Sequence, residues 1–456
     1  MTGKELIFKS LRHEEVERTP WVPFAGVHAG KLKNYNAKEL LTDADKLYDA
    51  LMEVHKLYMP DGMPIMFDLQ IEAEILGCDL LWADYNPPSV CKHPYADGGV
   101  PTDDMIPKKE DGRIPIFLDV MKRMKESVTD CALYGLICGP LTLASHLRGS
   151  EFYTDLVRNP DLVEQFFDFT SKVAIKMADY YIDAGMDVIA VVDPMVSQVS
   201  PKIFQKRMGA HFKKVFDHIR ERGVYSAFFV CGNATKQIGV MCETDPDSIH
   251  VDENVNLAAA KEVTDAANIV LGGNIPLTTT MLFGNQQDNM KCVIDIYDSV
   301  PTPKKNFILS PGCDMPYDVP IENTIAVAQA AIHTEDAREM VKNYEAAEDD
   351  LSSIVIPDYE NLDKVLIELF TLDPDQCAAC TYMVNSVKDN YDDISDLADY
   401  VVYRYNNRED IARTKKMGLS NLPTMCINGE PKFISIIPTK EELIAAVKEA
   451  DAKLKK

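Results

Sequence analysis

The chain has 456 residues, which exceeds the usual size of one domain and favours two. Hydrophobic residues make up 46% of it and charged residues 26%, as in ordinary globular proteins. The formal net charge of −25 at pH 7 argues against nucleic acid and anionic membranes as partners, because both would repel the chain.

The N-terminal part of the chain begins with a helical pattern and a short apolar run, Trp21–Gly26, that predicts a first strand. A second predicted strand covers Pro64–Asp68. Residues 84–116 are rich in Pro, Gly and Asp, which is typical of a long irregular insertion. A third strand is predicted over Ala132–Cys138.

From residue 139 onward, helices and apolar runs alternate regularly. The helices show an apolar period of 3.6 residues, most clearly over residues 162–184. The runs between them predict five more strands, which are Asp187–Val192, Ser226–Val230, Ser248–Val251, Ile269–Leu271 and a last one that starts at Phe307.

Eight strands, each followed by a loop and a helix, predict an α/β fold of the (β/α)8 TIM barrel type over residues 1–344. A doubly wound sheet would need a clearer Gly-rich turn after its first strand. Catalytic residues of TIM barrels lie at the carboxyl ends of the strands. Here those ends carry Cys231, Asp252, Asn274 and Cys313.

The remaining chain predicts a second, smaller domain. Residues 345–359 are polar and acidic, as in a linker, and residues 360–456 follow the order β-α-β-α-β-β-α of a minimal thioredoxin fold. Cys377 and Cys380 form a CxxC motif at the start of a predicted helix, where the backbone N–H groups stabilise a thiolate. With Pro423 downstream, this motif resembles thioredoxins and glutaredoxins, which implies a redox role for all three residues. A degenerate domain used for docking is the alternative.

The eleven cysteines are an odd number, scattered through a chain whose first residues predict an amphipathic helix rather than a signal peptide. Most are therefore expected to be reduced, and clustered ones to bind metal or carry out redox chemistry. No apolar run reaches the roughly 20 residues that span a bilayer. These features predict a cytoplasmic protein.

Three segments of the predicted barrel, Gly139–Leu147, Phe229–Asn233 and Ile308–Pro316, resemble the uroporphyrinogen decarboxylase superfamily. The cysteine pair resembles its corrinoid-dependent methyltransferase branch, which includes the methylcobalamin:coenzyme M enzymes. The decarboxylases carry an Arg-rich segment after the first strand, whereas the corresponding Phe24–Gly30 contains no Arg. The resemblance therefore favours methyl transfer over decarboxylation.

In the methyltransferase branch, a His-x-Cys at the fifth strand and a later Cys bind zinc. Cys231 and Cys313 match the two cysteines, and Phe229 stands at the position of the histidine. The resemblance implies a zinc site at Cys231 and Cys313, for which Glu72 is the preferred further ligand, ahead of Glu74 and His28. Such a zinc would activate a thiol or a methyl donor. In the alternative, the cysteines line a pocket without metal.

Substrate-binding roles are predicted for Asp252, Asn274 and His28. The chain contains no Asp-x-His-x-x-Gly segment of the kind that binds corrinoids, so methylcobalamin would arrive on a separate corrinoid protein. The predicted function is methyl transfer between that partner and a small-molecule donor or acceptor, with the thioredoxin-like domain keeping thiols reduced.

Two other functions stay open on the sequence, as does assembly into a homo-oligomer. In the first, the protein is a thiol-disulfide redox module with the barrel as a docking scaffold. In the second, it is a decarboxylase, for which Arg148, Lys31 and Lys33 are the cations near the predicted mouth.

Overall fold

The computed structural model describes residues 1–346, 351–372, 378–419 and 421–455. The chain divides into two compact units, Met1–Ala346 and Ala347–Lys456. The division falls inside the predicted linker, residues 345–359. Within the described residues, no helix combines the length and the hydropathy that are needed to cross a bilayer.

The first unit is built on one parallel sheet. Its strands are β1 Gly62–Pro64, β2 Asp79–Leu81, β3 Ser89–Lys92, β4 Ala132–Cys138, β5 Val188–Val192, β6 Tyr225–Val230, β7 Ser248–Val251, β8 Val270–Ile275 and β9 Phe307–Pro311. Seven of them pair in the order β1-β4-β5-β6-β7-β8-β9, while β2 and β3 form a separate antiparallel pair. The α/β fold that the sequence predicted is confirmed, and the curled parallel sheet fits a TIM-like barrel, with seven paired strands where eight were predicted.

Helices follow the strands and cover the sheet. They are α1 Gly3–Leu11, α2 His28–Lys31, α3 Ala37–Thr42, α4 Ala44–Tyr58, α5 Ile71–Ile75, α6 Ile114–Ser127, α7 Pro140–Arg148, α8 Glu151–Arg158, α9 Pro160–Asp183, α10 Pro201–Arg207, α11 Gly209–Glu221, α12 Ile238–Cys242, α13 Leu257–Ala266, α14 Gln286–Ser299, α15 Ile321–Ile332 and α16 Thr334–Val341. Short 3-10 turns cover Asp103–Met105 and Pro194–Gln198, and a π-helical turn covers Leu277–Leu282.

The segment around Trp21 bridges the two edges of the seven-stranded sheet. Trp21 pairs in parallel with Leu309 of β9, and its carbonyl accepts hydrogen bonds from the backbone N–H groups of Asp61 and Gly62 beside β1. The predicted first strand, Trp21–Gly26, is wrong in extent, because only Trp21 forms a bridge. Prolines at positions 20 and 23 lack the N–H that a longer ladder would need.

Other predicted bounds differ more modestly. The second strand was placed too late, since β1 ends at Pro64 and residues 65–68 form the loop that follows. The predicted insertion, 84–116, contains the short strand β3 as well as irregular chain. The strands Ala132–Cys138 and Ser248–Val251 are confirmed with the predicted bounds.

An aromatic cluster fills the interior of the first unit below the carboxyl ends of the strands. The ring of Phe229 lies 4.7 Å from that of Phe24 and 5.8 Å from that of Phe67, measured between centroids. His250 joins the cluster at 5.6 Å from Phe229. Interlocked rings at these distances stabilise a core through dispersion and edge-to-face contacts.

The second unit has a four-stranded sheet of β10 Val365–Thr371, β11 Ala398–Arg404, β12 Thr424–Ile427 and β13 Glu430–Ile434, with helices α17 Ala378–Lys388, α18 Arg408–Lys416 and α19 Lys440–Leu454. The strand order is β11-β10-β12-β13, and only β10 and β11 are parallel. These elements follow the order that the sequence predicted. The relationship to thioredoxins stays a prediction.

Candidate active site

Two cysteines lie side by side at the mouth of the barrel. Cys231 directly follows β6, and Cys313 lies two residues after β9. Their Cα atoms are 5.8 Å apart, and the structure joins their sulfur atoms in a disulfide. Both residues are partly exposed. The backbone thus brings the two positions together at the mouth.

Glycines beside the two cysteines allow the close approach of the turns that carry them. Gly232 has a φ of +84°, and a Cβ there would lie 2.8 Å from the Ser197 hydroxyl. A Cβ on Gly312 would lie 2.7 Å from the backbone nitrogen of Glu253. Any larger residue at either position would clash with the neighbouring loop, so the turn that carries the cysteine would have to shift.

The register of the sheet explains which side chains share the mouth. Phe229, His250 and Gly272 are direct neighbours on β6, β7 and β8. Side chains two residues further along each strand point the same way. Cys231 and Asp252 therefore lie one layer above the aromatic cluster, towards solvent.

Asp252 and Asn274 hold the loops of this layer. The Asp252 carboxylate accepts a hydrogen bond from the Gly232 backbone N–H at 3.0 Å. The Asn274 side chain donates to the carbonyls of Asp252 and Val255, both at 2.8 Å. Burial raises the pKa of Asp252. Asp252 thus positions the turn behind Cys231 and Asn274 positions the loop after β7, and their predicted contact with substrate stays a prediction.

His28, the third residue predicted to bind substrate, is engaged inside the protein. Its Nδ1 lies 2.9 Å from the Tyr317 carbonyl and its Nε2 lies 2.7 Å from the Tyr58 hydroxyl. Complete burial lowers the pKa of His28 to about 4, so the ring is neutral at pH 7. Both ring nitrogens already have partners, which leaves neither of them for a substrate.

Glu72 does not join the two cysteines. It lies on α5, and its Oε1 accepts a hydrogen bond from the Cys138 backbone N–H at 3.1 Å. Among the residues that the structure describes, no three His, Cys, Asp or Glu side chains are grouped so that they could hold a metal ion. The described residues thus supply Cys231 and Cys313 for the predicted zinc site but no third protein ligand, and zinc binding stays a prediction.

Phe229 stands where the methyltransferase branch has a zinc-binding histidine, and its side chain has no atom that could bind a metal. It is fully buried, and its ring packs against Phe24 and Phe67. The imidazole of His250 lies on the neighbouring strand, where neither of its nitrogens has a hydrogen-bond partner. Burial lowers the pKa of His250 to about 4, so this ring is neutral at pH 7.

A buried ion pair near the mouth was missed in the sequence. Arg113 binds Asp68, in the loop after β1, and its Nε lies 2.7 Å from Glu74 Oε2. Arg113 belongs to the predicted irregular insertion, and nothing in the local pattern relates it to a strand end about 45 residues earlier. Its opposite charge explains how the buried Asp68 is tolerated.

Asp193 directly follows β5 and was not predicted as a site residue. Its carboxylate accepts hydrogen bonds from the backbone N–H groups of Leu141 and Thr142 and from the Thr142 hydroxyl. It thus caps the first turn of α7. Burial nevertheless raises the pKa of Asp193 to about 7.

The redox residues belong to the second unit. Cys380 is fully buried on α17 and is disulfide-bonded, whereas Cys377 lies outside the described residues. The peptide bond between Leu422 and Pro423 is cis. The redox roles of Cys377, Cys380 and Pro423 stay predictions.

Replacing Glu72 by Gln is expected to stabilise the protein at pH 8 by about 2–3 kcal/mol, and to have little effect near pH 4. Burial raises the pKa of Glu72 to about 7 from its usual value of 4.5. The folded state therefore keeps a proton that the unfolded state loses, so Glu72 destabilises the fold increasingly as pH rises between these values. A Gln side chain keeps the acceptor for the Cys138 N–H.

Urea unfolding at both pH values measures this difference. Glu262→Gln, on the exposed side of α13, is the matched control and should change stability at neither pH. Equal effects of Glu72→Gln at both pH values would show that proton binding is not the cause.

Comparison with known proteins places the first unit in a family. Residues 2–334 match the sequence profile described as "Uroporphyrinogen decarboxylase (URO-D)", which is well over half of the chain. The chain belongs to the uroporphyrinogen decarboxylase family. The superfamily resemblance of the three barrel segments is thereby confirmed.

Relatives within this family include both methyltransferases and decarboxylases. The chain is 26% identical over 344 residues to "Methylcobamide:CoM methyltransferase MtbA" of Methanosarcina acetivorans, which covers 72% of this chain and 97% of that protein. It is 22% identical over 263 residues to a uroporphyrinogen decarboxylase of Trichodesmium erythraeum, covering 55% of this chain and 72% of the relative.

A solved structure with a similar fold is titled "methyltransferase from Methanosarcina mazei". It superposes with a TM-score of 0.67 at 24% identity, and the match covers 74% of this chain and 99% of that one. At this identity the likeness concerns the fold alone. It agrees with the barrel architecture of a uroporphyrinogen decarboxylase family member.

Proposed function

We propose that the first unit is a methyltransferase that moves a methyl group between a corrinoid carried by a separate protein and a small substrate. The observation that supports this most is the meeting of Cys231 and Cys313 at the barrel mouth. Cysteines stand at these two positions in the methyltransferase branch that the sequence resembles. The extensive match to a methylcobamide:CoM methyltransferase supports the same proposal.

Methyl transfer from a corrinoid to a thiol breaks the cobalt–carbon bond and forms a sulfur–carbon bond. The cobalt keeps the electron pair, and the thiol loses its proton. The thiolate is the reactive form of a thiol, so the site must favour it. In the reduced protein, Cys231 and Cys313 would bring sulfur to the end of the barrel that an incoming corrinoid protein can reach.

The acceptor would enter above the layer of Phe229 and His250. The aromatic cluster closes the interior below, so a small substrate would lie at the mouth rather than deeper in the barrel. Asp252 would keep the Cys231 turn in place through its bond to Gly232. These residues would thus fix the position of the thiols against a docked partner.

The direct test follows the absorption spectrum of methylcobalamin, free or on a candidate corrinoid protein, when it is mixed with the reduced full chain and a small thiol. We expect demethylation of the corrinoid and a methylated thiol in equal amounts. Absence of both products with a panel of small thiols, and of the reverse reaction from methylated thiols, would reject the proposal.

Decarboxylation of a polycarboxylate is less well supported, because the cations named for it are already paired. Arg148 binds Asp155 at 2.9 Å and Lys33 binds Asp49 at 3.1 Å. Lys31 donates to the Asp318 carbonyl at 2.8 Å. A substrate with several carboxylates would have to displace these partners.

A double substitution in the CxxC motif separates the proposed methyl transfer from the alternative of a thiol-disulfide module with the barrel as a docking scaffold. Replacing both Cys377 and Cys380 by Ser should leave methyl transfer within about twofold of wild type when a chemical reductant is present, since catalysis would need only the barrel thiols in their reduced state. Methyl-transfer rates of the two proteins with and without the reductant provide the measurement. A loss that the reductant does not restore would favour the redox-module function.

A further inference from the structure

We propose that Cys231 and Cys313 form a redox-active disulfide at the barrel mouth, whose substrate is a small-molecule dithiol. This is a thiol-disulfide exchange activity of the barrel itself, distinct from methyl transfer and from the CxxC motif of the second unit. It does not depend on the identity of any methyl donor.

The position of the disulfide permits exchange with a second molecule. Both cysteines are partly exposed at the carboxyl ends of their strands, where a dithiol can approach a sulfur atom. By contrast, Cys131 and Cys138 are 0% and 1% exposed, and burial raises the pKa of both thiols well above the usual value. Reactivity of this kind requires access and thiolate character, so the mouth pair differs from the core thiols.

The disulfide is not needed to hold the barrel together. The strands before the two cysteines, β6 and β9, are already joined through the paired strands β7 and β8. In addition, seven cysteines of the described chain are free thiols. A chain whose fold relied on disulfides would pair more of them, so one exposed pair at a functional mouth points to chemistry.

The surroundings also favour a disulfide over a metal site. The side chain two residues before Cys231 is Phe229, which is buried among rings and offers no donor atom. No third ligating side chain completes a metal site with the pair within the described residues. Two thiols that are close together and lack a metal to bridge them readily form a bond to each other.

The exchange proceeds in two steps. One thiolate of the dithiol attacks a sulfur of the Cys231–Cys313 disulfide, forms a mixed disulfide and releases the other cysteine as a thiolate. The second thiol of the reductant then loses its proton and displaces the remaining cysteine. Two electrons and two protons pass from the dithiol to the cysteine pair, and the dithiol becomes a disulfide.

The test uses the full chain in mixtures of reduced and oxidised dithiothreitol under native conditions, without oxygen. Free thiols are alkylated in the native protein with an excess of iodoacetamide, and the peptides that contain Cys231 and Cys313 are quantified by mass spectrometry. We expect both thiols to appear together as the fraction of reduced reagent rises, and to disappear together when it falls. Cys131 and Cys138 should stay unmodified until the chain is denatured.

Two variants sharpen the result. Cys313→Ser should leave Cys231 without an intramolecular partner and abolish the coupled loss of two thiols. Cys91→Ser, which removes an exposed thiol elsewhere on the barrel, should leave the transition unchanged.

Three outcomes would overturn the proposal. The pair could stay reduced in every mixture, or it could be reduced only after the chain unfolds, as a structural disulfide would be. Alternatively, zinc added to the reduced chain could shift the dithiol–disulfide equilibrium by more than about tenfold, which would return the cysteines to metal binding. None of these measurements requires methyl transfer, so failure here and failure of the proposed function are separable.

Discussion

Replacing Cys231 by Ser is expected to lower the rate of methyl transfer in the reduced protein by at least about 100-fold, the lower end of what one positioned catalytic side chain contributes. A serine hydroxyl is similar in shape to a thiol, but it ionises far less readily and is a poor soft nucleophile. The Gly232–Asp252 bond that holds the turn uses the backbone and should persist. The loss should therefore reflect chemistry, with the stability nearly unchanged.

The double variant Cys231→Ser/Cys313→Ser discriminates how the two cysteines work. If they act as a unit, the double variant should lose about as much activity as the more damaging single variant, because the first substitution already disables the pair. If the two cysteines contribute independently, the fold losses of activity in the two single variants should instead multiply in the double variant. Demethylation of methylcobalamin under reducing conditions measures all three variants against wild type.

Cys91→Ser is the matched control for this series, because it removes an exposed, free thiol on β3. It should retain wild-type activity. Full activity of Cys231→Ser would show that the Cys231 sulfur takes no part in methyl transfer. The fold would then be the remaining support for the proposed function.

The sequence predicted most of the barrel because apolar runs of buried parallel strands are strong local patterns. Strand β4, whose seven residues are all buried, was predicted with its observed bounds. The strand at Trp21 was predicted too long, since its closing bridge depends on hydrogen bonds to residues 61, 62 and 309 that no local pattern reveals. Long-range pairing of this kind determines where a strand ends.

The candidate site was predictable in part for the same reason. Cys231, Asp252 and Cys313 each follow a predicted strand. Because the carboxyl ends of barrel strands meet at one mouth, the sequence predicted that all three lie there. The position of a residue after a strand does not show where its side chain points. The Glu72 carboxylate binds the Cys138 backbone N–H and does not join Cys231 and Cys313. Arg113 was missed because its partner Asp68 is distant in sequence.

Phe229→His is expected to create the zinc site that the described residues do not complete. The substitution restores the His-x-Cys pattern of the methyltransferase branch beside Cys231, and it would supply the third protein ligand with Cys313. We expect the reduced variant to bind zinc over about 100-fold more tightly than wild type. A group that only orients a metal ligand changes the affinity by about 10–100-fold, and a new ligand should change it more. Dialysis against a zinc buffer followed by metal analysis measures the difference.

The variant also carries a cost that zinc should offset. Exchanging a buried phenyl ring for an imidazole in a cluster with Phe24 and Phe67 removes contacts and buries polar nitrogens. This should destabilise the metal-free protein by about 2–4 kcal/mol. Zinc at 100 times its dissociation constant would restore about 2.7 kcal/mol, because it binds the folded state. Thermal unfolding with and without zinc measures both terms.

Phe67→His tests whether position matters more than the presence of an imidazole. Phe67 belongs to the same cluster, 5.8 Å from Phe229, but it follows β1 and is not on the strand of Cys231. It should show a similar loss of stability without any gain of zinc. If Phe229→His and Phe67→His bind zinc equally weakly, then the mouth geometry itself excludes a metal, and the disulfide is the state for which the Cys231–Cys313 pair is built.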